Sequence, residues 1–148
     1  MNFILRPINL EQDIEDITNL TKQLGYPTNA ENLYDRFKII SFDKNYHTLA
    51  VEFDHHIIAY TGFIRLKSWE IDGEFIKIQV FVVNENYRSQ GIGRLLLNAV
   101  ENFAKEHQIF RILLNSSNRP EREIAHKFYK DLGFEAKSTG FHKWVKFL

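Results

Sequence analysis

The sequence predicts an α/β fold of the α+β kind, with a mixed, mostly antiparallel central sheet flanked by helices. Three observations carry that expectation. Short apolar or alternating runs bounded by turn residues recur along the chain, as strands do. Stretches with apolar residues three and four apart interrupt them, as helices do. One such stretch, 92–107, lies between two apolar runs, so one pair of strands is parallel and joined by a crossover helix.

Taken in order, residues 3–8 predict a strand that closes at Pro7. Ile14, Ile17, Leu20 and Leu24 then trace one helix face, stopped by Gly25 and Pro27. Asn29 is placed to cap a second helix whose inner face holds Leu33, Phe37 and Ile40. Residues 48–53 and 57–66 predict two strands joined across Asp54-His55-His56, and Asp72-Gly73 marks the turn into a third over 74–83. The unbroken run Val80-Phe81-Val82-Val83 suggests a strand covered on both faces. Ile92, Leu95, Leu96, Ala99, Val100 and Phe103 give the crossover helix, and 110–114 the next strand. A short helix carrying Ile124, Ala125, Phe128 and Leu132 ends at Gly133. Residues 134–138 and 142–147 predict a closing antiparallel pair.

At 148 residues, with no repeat and no Pro/Gly-rich linker, the reading is one domain over 1–148. Cysteine is absent, which excludes disulfides, thiolate metal sites and a cysteine nucleophile. No run reaches the ~20 apolar residues of a membrane span, and the N-terminal run is too short for a signal peptide. A cytoplasmic protein without a membrane partner is expected. The net charge is zero, which argues against nucleic acid as a partner. The charge is unevenly spread: residues 1–54 hold 9 acids against 5 Lys/Arg, and residues 55–148 hold 10 against 14. A phosphate-bearing ligand would favour the second half. His55-His56 sits in a turn, no histidine pair has helical metal spacing, and no metal is expected.

The stretch after Val83 carries the most chemistry. An apolar strand gives way to a polar loop, and Gly91-Ile92-Gly93 opens the long helix. A helix start offers unpaired N–H groups and the positive end of the macrodipole, which together favour an anion. Glycine lets the backbone approach a phosphate with no Cβ in the way. Arg88 and Arg94 flank the turn and add charge-assisted hydrogen bonds. A dinucleotide fingerprint would need glycine where Leu96 stands, and the Gly-Lys-Ser/Thr of a P-loop occurs nowhere.

The whole string, Val82-Val83-Asn84-Glu85-Asn86-Tyr87-Arg88-Ser89-Gln90-Gly91-Ile92-Gly93, resembles the acetyl-CoA signature of the GNAT superfamily of N-acetyltransferases, whose core is Arg/Gln-x-x-Gly-x-Gly/Ala. The element order resembles that family's acyl-CoA N-acyltransferase fold over essentially the full chain. The resemblance implies that Val82 and Val83 pair with the pantetheine arm. It also implies that the N–H groups of Ser89, Gln90, Gly91, Ile92, Gly93 and Arg94, with Arg88, hold the pyrophosphate. The fourth and fifth strands would splay to admit the thioester.

A second block, Asn115-Ser116-Ser117-Asn118 followed by Ala125-His126-Lys127-Phe128-Tyr129-Lys130-Asp131-Leu132-Gly133-Phe134, is similar to another block of the family. By that resemblance Asn115 or Asn118 bonds pantetheine and Tyr129 faces the sulfur. The implied chemistry is direct attack of an amine on the thioester. A hydroxyl with a reference pKa near ~10 suits protonation of the leaving thiolate, and a strand N–H, that of Val82, would polarise the carbonyl. Many relatives place a glutamate base on the fourth strand; Gln79 stands there here, with Glu70 and Glu74 before it and His126 further on.

The segment 118–134 and Leu24-Gly25-Tyr26-Pro27-Thr28 resemble the aminoalkylphosphonate and small-amine branch. The function implied is acetyl transfer from acetyl-CoA to a primary amine of a small molecule, in a chain that relatives suggest as a homodimer. The alternatives are a non-catalytic acyl-CoA-binding or sensing module, and acetylation of a protein or tRNA-linked amine.

Overall fold

Two positive-φ residues turn the first hairpin. Asp54 (φ 51°) and His55 (φ 66°) form a two-residue loop, so Phe53 pairs with His56 and the loop is one residue shorter than the sequence suggested. The computed structural model describes residues 2–116 and 122–147. These form two compact units, Met1–Leu114 and Asn115–Leu148.

The first unit holds a five-stranded sheet in the order β1-β2-β3-β4-β5. The strands are β1 (Ile4–Arg6), β2 (Tyr46–Phe53), β3 (His56–Lys67), β4 (Glu74–Val83) and β5 (Ile112–Leu114). Neighbours are antiparallel except β4 and β5, which are parallel. The helices are α1 (Leu10–Gln23), α2 (Ala30–Ile40) and the crossover α3 (Ile92–Glu106). Asn9 and Asn29 cap the first two, each side chain accepting the N–H three residues on, at 3.3 and 2.8 Å.

Alternation along the strands sends apolar side chains to both faces. On one face Ala50, Ile57, Tyr60 and Val82 join Ile17 and Leu20 of α1 and Leu33 of α2. On the other, Val51, Ile58 and Ala59 pack with Ile92 and Leu96 of α3. The continuous apolar run of β4 is covered on both sides for this reason: Val80 and Val82 serve the first cluster, Phe81 and Val83 the second.

A bulge breaks the β3–β4 register. Gly62 pairs with Val80 and Phe63 with Ile78, which leaves Gln79 as the extra residue. Glycine at 62 fits the crowding there, since a Cβ would lie 2.9 Å from Val80 Cγ1.

The second unit contains α4 (Glu123–Asp131), ended by Gly133 at φ 94° whose N–H bonds the Lys130 carbonyl at 3.0 Å. The closing pair expected over 134–138 and 142–147 does not form: the described residues there carry no strand. Their ring-rich pattern has strand propensity, but propensity alone does not make a ladder. Phe141 and Phe147 are exposed instead, at 94% and 91%.

Candidate active site

The parallel ladder between β4 and β5 is short. It runs Ile76–Ile112, Lys77–Leu113 and Ile78–Leu114, and β5 then ends while β4 continues through Val83. Within the first unit, the β5-facing edge of residues 79–83 therefore lies beyond the ladder. The bulge at Gln79 falls where the pairing stops.

The bulge also decides which peptide groups face that edge. Before it, the Ile76 N–H donates to the Arg111 carbonyl at 3.0 Å, so even-numbered amides point toward β5. After it, the Asn84 N–H donates to the Ile58 carbonyl of β3 at 2.8 Å. Counting back by alternation, the Val82 N–H points to β3 and those of Phe81 and Val83 point to the β5 side. The expectation that the Val82 amide faces an acyl carbonyl is thus revised to the flanking residues. No sequence signal marks the extra residue, because Gln79 fits an alternating strand as well as a bulge.

Beyond Val83 the chain makes a 3-10 turn over Glu85–Tyr87. Asn84 organises it: its side-chain oxygen accepts the Asn86 N–H at 2.9 Å and its carbonyl the Tyr87 N–H at 2.9 Å. The Tyr87 ring anchors the turn edge-on against Phe53, 5.9 Å between centroids. Arg88 Nε then donates to the Val83 carbonyl at 3.3 Å, which places this guanidinium at the C-terminal end of β4.

Ser89 (φ 64°) and Gly91 (φ 81°) both take left-handed backbone conformations. Such alternation turns successive N–H groups into one concavity, an anion-binding nest. The first helical bond of α3 runs from the Leu95 N–H to the Gly91 carbonyl at 3.0 Å, so the amides of Ile92, Gly93 and Arg94 precede the ladder. No side chain caps this helix, in contrast to α1 and α2. Ile92 is 1% exposed and pins the start of α3 into the core, leaving its peptide group as its contribution. Arg88, Ser89, Gln90, Gly91 and Arg94 are exposed around it. A Cβ on Gly91 would meet nothing within 4 Å, so the space above it is open.

In the second unit, Tyr129 is 9% exposed and packs edge-on with Phe128 (5.6 Å) and Phe134 (5.9 Å). Burial pushes its phenol above the ordinary tyrosine value, against the charge and hydrogen bond of Arg122. It stays protonated at neutral pH. His126 lies one helical turn before it, with Nε2 enclosed and no hydrogen-bond partner among the described residues. Asn115 follows β5 directly and is exposed; Asn118 lies outside the described residues.

Glu74 is tied to Arg65, Oε1 to Nη2 2.7 Å, at the start of β4. At ~3.3 Å per residue that is about 30 Å from Val83. Glu70 lies still earlier, in the hairpin loop. Gln79 is exposed on β4. Among the described residues no group of three or more His, Asp or Glu side chains could hold a metal. No described helix is long and apolar enough to cross a membrane.

A parallel ladder that stops at Ile78 and Leu114, with an anion nest beyond the end of the longer strand, suits an acyl-CoA-dependent transferase. The chain matches the model of the acetyltransferase (GNAT) family over residues 12–134 and belongs to that family. It is an acetyl-CoA-dependent N-acetyltransferase. A GNAT family acetyltransferase from Staphylococcus aureus is 30% identical in sequence, with a TM-score of 0.83 over 98% of this chain and 100% of that one. Two more distant structures share the fold. Glucosamine-6-phosphate N-acetyltransferase from Arabidopsis thaliana is 20% identical (TM-score 0.79), over 99% of this chain and 100% of that one. Aminoglycoside N-acetyltransferase AAC(6')-Iy, in complex with CoA, is 18% identical (TM-score 0.80), over 99% and 96%.

Proposed function

We propose that the chain transfers the acetyl group of acetyl-CoA to a primary amine of a small molecule by direct attack on the thioester. The observation that carries this is the end of the β4–β5 ladder at Ile78 and Leu114, followed by the left-handed Ser89–Gly91 turn at the far end of the same edge. The pyrophosphate sits in the nest of residues 89–94, with Arg88 and Arg94 supplying charge. The pantetheine arm lies along β4 as an added strand would, bonding the peptide groups on the β5 side, with Asn115 and Asn118 as further partners. A peptide N–H on that edge polarises the acetyl carbonyl.

The neutral amine attacks the carbonyl carbon and the tetrahedral intermediate collapses, breaking the C–S bond. Tyr129 gives its phenolic proton to the departing thiolate, and the proton that the amine nitrogen loses in forming the amide returns through solvent to the phenolate. Its support is the block 125–134 and a phenol held protonated by burial. A small acceptor is favoured by the neutral net charge and by the loop after α1, where Tyr26 is 60% exposed among uncharged neighbours. The resemblance of this loop and of 118–134 to the aminoalkylphosphonate branch points the same way. The cysteine-free sequence agrees with a reducing, cytoplasmic setting.

The test is thiol release from acetyl-CoA across a panel of amines, with the acetylated product identified by mass spectrometry. Turnover of a small primary amine is expected. Saturable acetyl-CoA binding with no amine turned over would make the chain a binding module, and turnover of peptides or aminoacyl-tRNA alone would move the acceptor class.

A further inference from the structure

The last turn of α1 bonds the turn after β4 and carries the loop that follows it. Gln23, its final residue, accepts the Glu85 N–H on its side-chain oxygen at 2.9 Å, across 62 residues of sequence. Glu85 opens the 3-10 turn that leads into the anion nest. Two residues before Gln23, the Thr21 hydroxyl shares a 2.6 Å hydrogen bond with Tyr60 Oη on β3, directly opposite Val82 in register. The same hydroxyl donates to the Ile17 carbonyl at 2.8 Å, so this turn is bolted to the sheet.

The loop that follows is fixed to the same turn. The Gly25 N–H donates to the Lys22 carbonyl at 2.9 Å and the Tyr26 N–H to the Thr21 carbonyl at 3.3 Å. Residues 24–28 thus continue from a fixed turn of helix, and the Gln23 side chain ties that turn to Glu85 at the start of the segment leading to the nest.

We propose that Gln23 is a positioning residue that couples the donor turn to the loop between α1 and α2. Binding of CoA at residues 88–94 slows local opening of residues 24–28 through the Gln23–Glu85 hydrogen bond, and a ligand resting on that loop strengthens CoA binding by the same factor. This rests on the donor site proposed above.

The experiment uses CoA alone, with its affinity measured by titration calorimetry and amide exchange followed in peptides covering 24–28 and 85–94. In the wild type, CoA slows exchange in both. Gln23→Leu keeps the bulk and removes the acceptor; it weakens CoA binding roughly three- to tenfold, as loss of one hydrogen bond does, and exchange in 24–28 no longer responds to CoA. Gln23→Glu retains an acceptor oxygen and restores both. A merely structural role would lower thermal stability without removing the CoA response. Wild-type affinity and an intact response of 24–28 in Gln23→Leu overturn the coupling. Saturable CoA binding to the wild type with 85–94 unprotected overturns the donor site and the coupling with it.

Discussion

Ile78 and Leu114 form the last rung between β4 and β5, and the next residue of β4, Gln79, is the one the β3 ladder skips. The two features act together. The β5 pairing ends at this rung, and the bulge turns the peptide groups of Phe81 and Val83 to the β5 side in place of Val82. The exposed nest at 89–94 stands beyond the end of β4 and supplies positive potential where a pyrophosphate would lie.

Gly91 carries a conformation that L-residues rarely adopt. Valine there is expected to cost about 1–3 kcal/mol in backbone strain and to lower the melting temperature by roughly 3–10 °C. Its side chain also fills the space open above the turn, so CoA affinity falls by more than about tenfold. Ser89→Gly relieves strain at the neighbouring left-handed position and leaves CoA affinity near wild type. Calorimetric titration and thermal melts separate the two effects; wild-type affinity in Gly91→Val would remove the phosphate from this turn.

The turn was legible because its chemistry is local. Glycines at 91 and 93, flanking arginines and a following helix all lie within a few residues, and backbone sterics tie them to one conformation. The bulge was not legible. Val80-Phe81-Val82-Val83 suits either parity because α1, α2 and α3 cover both faces, so hydrophobic pattern does not reveal which amides face the edge. The missing strands at 134–147 show the converse: alternation states a preference, and pairing depends on an edge elsewhere in the fold.

His47 predicts a pH dependence of stability. Its ring packs against Phe63 (5.7 Å) and Phe103 (4.7 Å), and its Nε2 is enclosed with no hydrogen-bond partner among the described residues. Burial, with the charges of Arg65 and His107, holds its pKa below the ordinary value. The unfolded chain therefore binds the proton first, near pH ~6.5, and the fold loses stability as pH drops from there toward the lowered value. Melting curves should show a decline below about pH 6.5 that His47→Phe flattens, whereas an unchanged slope in that variant would show that His47 contributes nothing to it.

For Tyr129→Phe, kcat is expected to fall by roughly 100-fold with CoA affinity unchanged, because the ring still packs while the donated proton is gone. The raised phenol pKa means the acid stays available through the neutral range, so no loss of kcat from this group should appear below pH ~10. Undiminished turnover in the variant would take Tyr129 out of the mechanism.

In the proposed function the donor binds on the turn after β4 and along the β5-facing side of that strand. Backbone amide NMR during titration with CoA tests it most directly. Saturable shifts are expected at Val83 and at Ser89, Gln90, Gly91, Ile92, Gly93 and Arg94, with Val82, whose N–H points to β3, moving least. Saturable binding that leaves residues 89–94 unmoved would contradict it.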